Sequence, residues 1–507
     1  MKKLLMLCIG VISTSYVIAQ DITDAVRYSM DEIQGSARFR AMSGAFGALG
    51  GDMSAVNINP ASSVIFNNSH ASLSMGLFGR DNDVSYFNGN TSTSESDLDL
   101  NQFGAAFVFN NTNINSPWKK FSLSVAYDTA SNFDNEWFAR GINPNNTIGN
   151  YFLQFAQGKR LDEISAFSDE TLSEAYSEIG SFYGYAHQQA FLGFEGFIIN
   201  PLEDTDGNTQ YESNLVGNNF NHQYSYASRG YNGKLAFNFA TSYNDKIHLG
   251  VNFNSHFINY ERSTFLRENN SNSGSSIRNV DFENNLLTTG SGFSFQLGGI
   301  AKLTEEFRLG LTYNSPTWYR ISDETTQYLA TNRIENGESI NQIINPNVVN
   351  VFEEYKLKTP GKLTGSLAYV FGKSGLLSFD YSLKDYTNSQ FRPSSDIVFS
   401  SLNREIDNRL NNSSASYKIG GEYRYKQLSF RGGYRYEESP YKDEDFFGNL
   451  YGYSLGLGYN FGYLSIDLAY SHAERETNYQ LYSVGLTDAA AVNSKFDDVI
   501  LTLGFKI

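Results

Sequence analysis

The sequence predicts an all-β transmembrane barrel of fourteen antiparallel strands, with an N-terminal plug in the lumen and a partly helical, long extracellular loop. Three observations carry that prediction. Apolar and polar residues alternate with period two over runs of about ten residues, the length a tilted strand needs to cross a bilayer. Tight turns and long gaps between those runs alternate along the chain. The composition is also aromatic-rich and charge-poor at once, 15% and 18% of residues, where soluble domains carry about 25% charged residues. Mean hydropathy is -0.38, and beyond the N-terminal segment no apolar run approaches the ~20 residues of a membrane-spanning helix. A polytopic helical membrane protein is thereby excluded, and the abundant aromatics exclude a disordered chain. A net charge of -16 without a basic stripe sets nucleic-acid binding aside.

Residues 1–19 read as a signal peptide. Lys2 and Lys3 form the positive n-region, Leu4 to Ile18 the apolar stretch, and Val17-x-Ala19 the small-residue cleavage signature before Gln20. Cys8, the only cysteine, lies inside this segment, and the apolar stretch continues past it, which argues against a lipoprotein anchor. The exported chain then has no disulfide and no thiol chemistry.

Residues 20–68 differ in character from the rest of the chain. Gly35-Ser36-Ala37-Arg38 leads into Met42-Ser43-Gly44-Ala45-Phe46-Gly47-Ala48-Leu49-Gly50-Gly51-Asp52, then Ser54-Ala55 and Asn59-Pro60-Ala61. Small residues let backbone pack closely against a wall. Pro60 fixes its own φ and biases Asn59 toward extended backbone, so this tripeptide is a rigid bend. A compact, glycine-rich segment ahead of a barrel reads as a plug.

The barrel is expected over 69–507. Phe121, Leu123, Val125 and Tyr127 alternate with Ser122, Ser124, Ala126 and Asp128, and Leu464, Ile466, Leu468 and Tyr470 alternate with Ser465, Asp467 and Ala469. Fourteen such runs fall at 70–79, 101–110, 120–130, 231–243, 246–261, 287–303, 306–320, 360–371, 375–388, 414–425, 427–438, 449–461, 463–474 and 495–507. Tight turns at Asn244-Asp245, Thr304-Glu305, Gly372-Lys373-Ser374, Lys426 and Gly462 belong on the periplasmic side. The long gaps 80–100, 131–230, 262–286, 321–359 and 389–413 belong outside the cell, the last three read as polar, solvated loops. Alternation also breaks between Ala130 and Asn135, the expected place for a kinked strand.

Segment 131–230 carries a helical pattern at Leu172, Ala175, Tyr176 and Ile179, with Ser168-Asp169-Glu170 as the expected cap. Trp137, Phe138, Phe152 and Phe155 cluster in it as well. Either they pack as the loop's own core, or they form a surface that captures apolar ligands.

In this order and position, Asp52, Ser54, Ala55, Asn59, Pro60 and Ala61 resemble the N-terminal hatch of the FadL/TodX outer-membrane transporters of long-chain fatty acids and other hydrophobic compounds. Leu311-Thr312-Tyr313-Asn314-Ser315-Pro316, Thr359-Pro360, Gly420-Gly421-Glu422-Tyr423-Arg424-Tyr425 and Phe430-Arg431-Gly432-Gly433-Tyr434 look similar too, so the resemblance spans most of the mature chain. Two departures are the length of 131–230 and a final Ile507 in place of an aromatic residue. The resemblance implies an outer-membrane channel for passive uptake of hydrophobic small molecules such as long-chain fatty acids, gated by Asn59, Pro60, Ala61 and Asp52. Phe39, Met42, Phe46, Trp137, Phe138, Phe152 and Phe155 are then the candidate ligand-binding residues.

Enzymatic chemistry is not expected. His248 and His256 share one strand face but lie about 26 Å apart. Gly456-x-Gly458 lies within a strand, not at a strand-to-helix turn, and Ser471-His472 lacks any elbow motif. No cofactor and no metal site is expected, and the partners are a hydrophobic ligand and the outer-membrane bilayer. The alternative function is a structural or secretion-associated barrel that docks other envelope proteins.

Overall fold

The structure, a computed structural model, describes residues 21–113 and 115–507; the expected signal peptide lies outside the described residues. The wall begins with β1 (His70–Tyr86), β2 (Gly89–Asn110), β3 (Trp118–Asn132), β4 (Asn135–Asn143), β5 (Phe220–Tyr243), β6 (Ile247–Asn269) and β7 (Ile277–Lys302). It continues with β8 (Phe307–Asn314), β9 (Trp318–Glu335), β10 (Tyr355–Lys358), β11 (Lys362–Phe371) and β12 (Gly375–Lys384). The last strands are β13 (Ser414–Tyr425), β14 (Leu428–Glu437), β15 (Leu450–Asn460), β16 (Leu464–Gln480) and β17 (Ala489–Lys506). Helices are α1 (Ile22–Arg27), α2 (Ala37–Arg40), α3 (Ile148–Ala156), α4 (Leu172–Tyr183), α5 (Tyr185–Glu195) and α6 (Ile397–Arg409).

Pairing is antiparallel throughout, and β1 closes the barrel on β17 from His70↔Lys506 to Ser85↔Ala491. β8 and β9 together make one wall strand against β7, and β10 with β11 make the next. Both are interrupted at a proline, Pro316 and Pro360, because proline cannot donate to a ladder. Across the paired gaps Thr317 N–H donates to Thr359 Oγ1 at 3.0 Å and Thr359 N–H to the Thr317 carbonyl at 2.9 Å. With those pairs counted once and β4 set aside, the wall has fourteen strands. Phe121, Leu123 and Val125 point to the bilayer, while Ser122, Ser124 and Ala126 are buried inside.

Five expectations about the outer side are corrected. The gap 80–100 is not a loop: β1 and β2 continue to a turn at Phe87-Asn88. Likewise 262–286 and most of 321–359 are not solvated loops, since β6, β7 and β9 rise as a crown and stay paired to Asn269↔Asn279 and Arg333↔Ile277. Their inner faces carry Leu266, Val280, Phe282 and Leu329, which pack around α3 and α5. Segment 389–413 holds α6, whose first N–H groups at Val398 and Phe399 donate to Asp396 at 2.8 and 3.1 Å. In 131–230 the cap expected at 168–170 is instead Thr171, in a reciprocal box with Glu174, and α4 is one of three helices there.

Side chains inside the barrel form layers. β6 shows their order: Gly250 and Asn252 meet the plug, Ile258 and Tyr260 join a middle aromatic layer, and Leu266 joins the outer helical core.

Candidate functional site

Plug and wall meet backbone to backbone. A Cβ added at Gly298 would lie 2.1 Å from Asn59 Oδ1, at Gly310 2.2 Å from the Gly47 carbonyl oxygen, and at Gly250 2.3 Å from the Pro60 carbonyl carbon. Only glycine permits that approach. Asn59 caps the 3-10 turn Pro60–Ile65, accepting from Ala61 N–H at 3.1 Å. Its Nδ2 donates to the Gly47 carbonyl at 2.7 Å and to the Gly299 carbonyl of β7 at 3.1 Å. The Pro60 carbonyl in turn accepts from Asn238 of β5 at 2.8 Å. Asp52 braces the plug internally, accepting from Ser36 Oγ at 2.8 Å and Ser54 N–H at 2.9 Å.

Charge fixes the plug's helix α2 on two sides. Arg38 pairs with Glu422 at 2.8 Å, and Arg431 bridges the same carboxylate and Asp467, both at 2.6 Å. Arg40 pairs with Asp498, which also faces Arg80 at 3.6 Å. Glu422 is fully buried, and removing one partner of such a network costs about 3–5 kcal/mol.

The residues expected to bind ligand do not converge. Phe39, Met42 and Phe46 form the plug's own core with Leu49 and the wall residues Ala368 and Leu376, the two rings 5.4 Å apart. Trp137, Phe152 and Phe155 pack at the opposite end, in the outer helical core, and Phe138 lies on the other face of β4 from Trp137. That outer core is held down by Glu268, which accepts from Ile148 N–H at 2.7 Å and contacts His222 Nε2 at 2.9 Å; His222 Nδ1 meets Tyr86 OH at 3.0 Å.

Between the two lies a lumen layer that sequence reasoning missed. Tyr28 of the plug, Phe133, Tyr260, Tyr319, Tyr355 and Phe391 are all buried in one cluster. Tyr28 and Phe133 stand edge to face at 6.0 Å, Phe133 and Tyr260 at 5.3 Å, a favoured aromatic geometry. The available signal was the switch from polar His248 and His256 to apolar Ile258 and Tyr260 on one inward face.

Beside this layer the wall is kinked. β2 pairs with β3 only from Gln102↔Asp128 to Asn110↔Lys120. The third strand is interrupted at Phe133-Asp134, and β4 stays on β5 without pairing to β2. Instead β4 crosses the inner face of the β1–β2 hairpin, where Thr93 Oγ1 and Asn82 Nδ2 both donate to the Glu136 carbonyl at 2.8 Å. The plug closes this place from inside: Asn132 N–H donates to Glu32 at 3.1 Å, and Asn101 Nδ2 to the Gly35 carbonyl at 2.6 Å. An unpaired backbone stretch at membrane depth is tolerated where protein satisfies it. Among the described residues, no three His, Asp or Glu side chains are placed to hold a metal ion.

Residues 204–505 match the family model described as outer membrane protein transport protein (OMPP1/FadL/TodX). No curated protein matches the sequence. Among solved structures, a Pseudomonas aeruginosa FadL homologue aligns at a TM-score of 0.54 and 11% identity, over 94% of this chain and 99% of that one. The Pseudomonas putida toluene transporter TodX aligns at 0.53 and 13%, over 94% and 100%. The CymD monoaromatic hydrocarbon channel aligns at 0.50 and 12%, over 94% and 98%. At these identities the likeness is one of fold.

Proposed function

The chain belongs to the OMPP1/FadL/TodX family of outer-membrane transport proteins, and from that premise we propose that it takes up hydrophobic small molecules passively, long-chain fatty acids among them, under control of its N-terminal hatch. As a family member it is a transporter of the outer membrane, not an enzyme. The observation that carries the proposal is the aromatic lumen layer standing directly against the inward kink of the third strand. An apolar ligand held there sits where β2 and β4 share no ladder, a place that plug residues Glu32 and Gly35 close from inside. Below that level the plug is clamped by Asn59 and by Arg38 and Arg40, while the segment preceding α2 is held by Lys384 on the Ser29 carbonyl at 2.6 Å and by Glu32 on Asn132 N–H, contacts that must break for it to move. Two similar folds are described as a toluene transporter and a monoaromatic hydrocarbon channel, which supports the ligand class. Ligand binding moves the segment only through a difference in affinity between its two arrangements.

The test is uptake of labelled palmitate and toluene by Gram-negative cells that lack their own such channel and express this protein. Saturable uptake above the empty-vector rate is expected. Uptake at that rate, with the barrel folded at the surface, refutes transport and leaves the docking role.

A further inference from the structure

On the lipid-facing side of the wall, at the end that carries the tight turns, β11 to β14 form an open apolar groove of about 530 Å³. Its sides are the outward-facing Phe371, Leu377, Tyr423 and Phe430, all exposed. Its floor is bare at Gly421, which pairs with Leu377 on one side and Gly432 on the other. Glu422 and Arg431 belong to the lining as well, but their side chains are buried on the lumen side and pair with each other at 2.6 Å. The groove reaches the turn Gly372-Lys373-Ser374 and, on the next hairpin, the turn at Lys426-Gln427. Both lysines are exposed; Lys426 meets the Tyr425 ring at 5.5 Å, and Lys373 has no partner among the described residues. Glu305 and Glu306 stand on the adjacent β7–β8 turn, where Glu306 accepts from Thr304 Oγ1 at 2.9 Å, and among the described residues neither pairs with these lysines. On the other flank the turn Phe461-Gly462-Tyr463 carries no charge. A second lipid-facing groove of equal volume, lined by Ala301, Leu311 and Gly365, has the opposite rim: its turns carry Asp245, Glu305 and Glu306 against Lys246.

We propose that the groove on β11 to β14 is a site for one anionic phospholipid, with an acyl chain on the bare floor at Gly421 and the phosphate between Lys373 and Lys426. Height in the membrane agrees with this. Tyr425, Tyr459 and Tyr463 are exposed around the same end of the wall, and such aromatics mark the level of the head groups. Charge decides which lipid is held. A lysine attracts phosphate as a point charge, whereas a zwitterionic head group brings a cation of its own that two unpaired lysines repel. Free phosphate gains nothing from the apolar floor, so the occupant is a lipid and not a soluble anion. The second groove, with carboxylates at its rim, offers an acyl chain the same floor but no such preference. The site lies outside the lumen and is independent of the uptake reading.

The test is native mass spectrometry of the whole barrel released from micelles holding equal amounts of phosphatidylglycerol and phosphatidylethanolamine. Wild type is compared with the double variant Lys373→Gln, Lys426→Gln and with Gly421→Leu and Gly365→Leu. Wild type retains one phosphatidylglycerol with about tenfold preference, the order that two lysines at a membrane surface supply. The double variant retains the two lipids alike. Gly421→Leu fills the groove and loses the retained lipid; its Cβ comes closest to Leu377 Cδ2, at 3.0 Å, the end of a flexible side chain. Gly365→Leu, in the second groove with open space around it, keeps the lipid as wild type does. The double variant leaves groove and ladder intact, so it decides the matter even where Gly421→Leu fails to fold. Equal retention of both lipids by wild type, or a preference that survives in the double variant, overturns the proposal. Loss of the lipid from Gly365→Leu as well overturns the placement on β11 to β14.

Discussion

Replacing Asn59 with alanine removes three hydrogen bonds, two within the hatch and one between hatch and wall. They run from its amide to the Gly47 and Gly299 carbonyls and to its acceptor oxygen from Ala61 N–H, at 2.7, 3.1 and 3.1 Å. The side chain is fully buried, so no water replaces them without a structural change. At a net 0.5–1.5 kcal/mol per bond, the loss is about 3 kcal/mol. Each 1.4 kcal/mol being a factor of ten, hatch opening becomes about a hundredfold more frequent. The barrel ladder itself is untouched. Hydrogen exchange on the purified variant reads this directly: amides of residues 44–66 exchange faster by that factor, while barrel amides and heat-modifiability stay as in wild type. Hatch exchange within about twofold of wild type would refute the reasoning, since local opening free energies are what exchange reports. It would mean that the glycine contacts and ion pairs hold the hatch without the Asn59 clamp.

Two further predictions concern the other contacts. Gly298→Val puts a side chain where even a Cβ meets Asn59 Oδ1 at 2.1 Å, whereas Gly365→Ala has open space around it; protease added from the periplasmic side should cut the hatch of the first variant only. Glu268→Ala leaves Ile148 N–H and His222 without their buried partner, a cost of about 1–3 kcal/mol per orphaned group, so protease added to intact cells should cut within 144–195 faster than in wild type, with the Asn244-Asp245 turn spared in both.

Much of the wall was legible because a lipid-facing and a lumen-facing residue differ so sharply in chemistry. Phe121, Leu123 and Val125 against Ser122 and Ser124 leave no second reading of the face. The turn at Asn244-Asp245 was equally plain, since both residues adopt positive φ, 51° and 56°, as a tight hairpin requires. The crown was not legible, for the same physical reason in reverse. Above the bilayer the outer face of β6 and β7 meets water, so Arg267 and Asp281 replace the lipid-facing aromatics and pair across the strands at 2.7 Å. Leu266 and Phe282 then alternate with polar residues too few in number to read as a strand. The site was the least legible part. Phe39, Met42 and Phe46 were visible as apolar residues wanting burial, yet nothing local says that Ala368 and Leu376, more than three hundred residues away, provide it. The lumen layer joins Tyr28, Tyr260, Tyr319 and Tyr355 from four separate elements, a grouping set by register, which single-strand patterns do not contain.

The most direct test of the central claim, that hydrophobic ligands pass through the lumen, is an electron-density map of the protein incubated with palmitate. The account predicts elongated density against Tyr260, Tyr319 and Tyr355, with residues 28–35 displaced from Asn132. Palmitate bound only on the lipid-facing wall, with that layer closed and the segment in place, would contradict it.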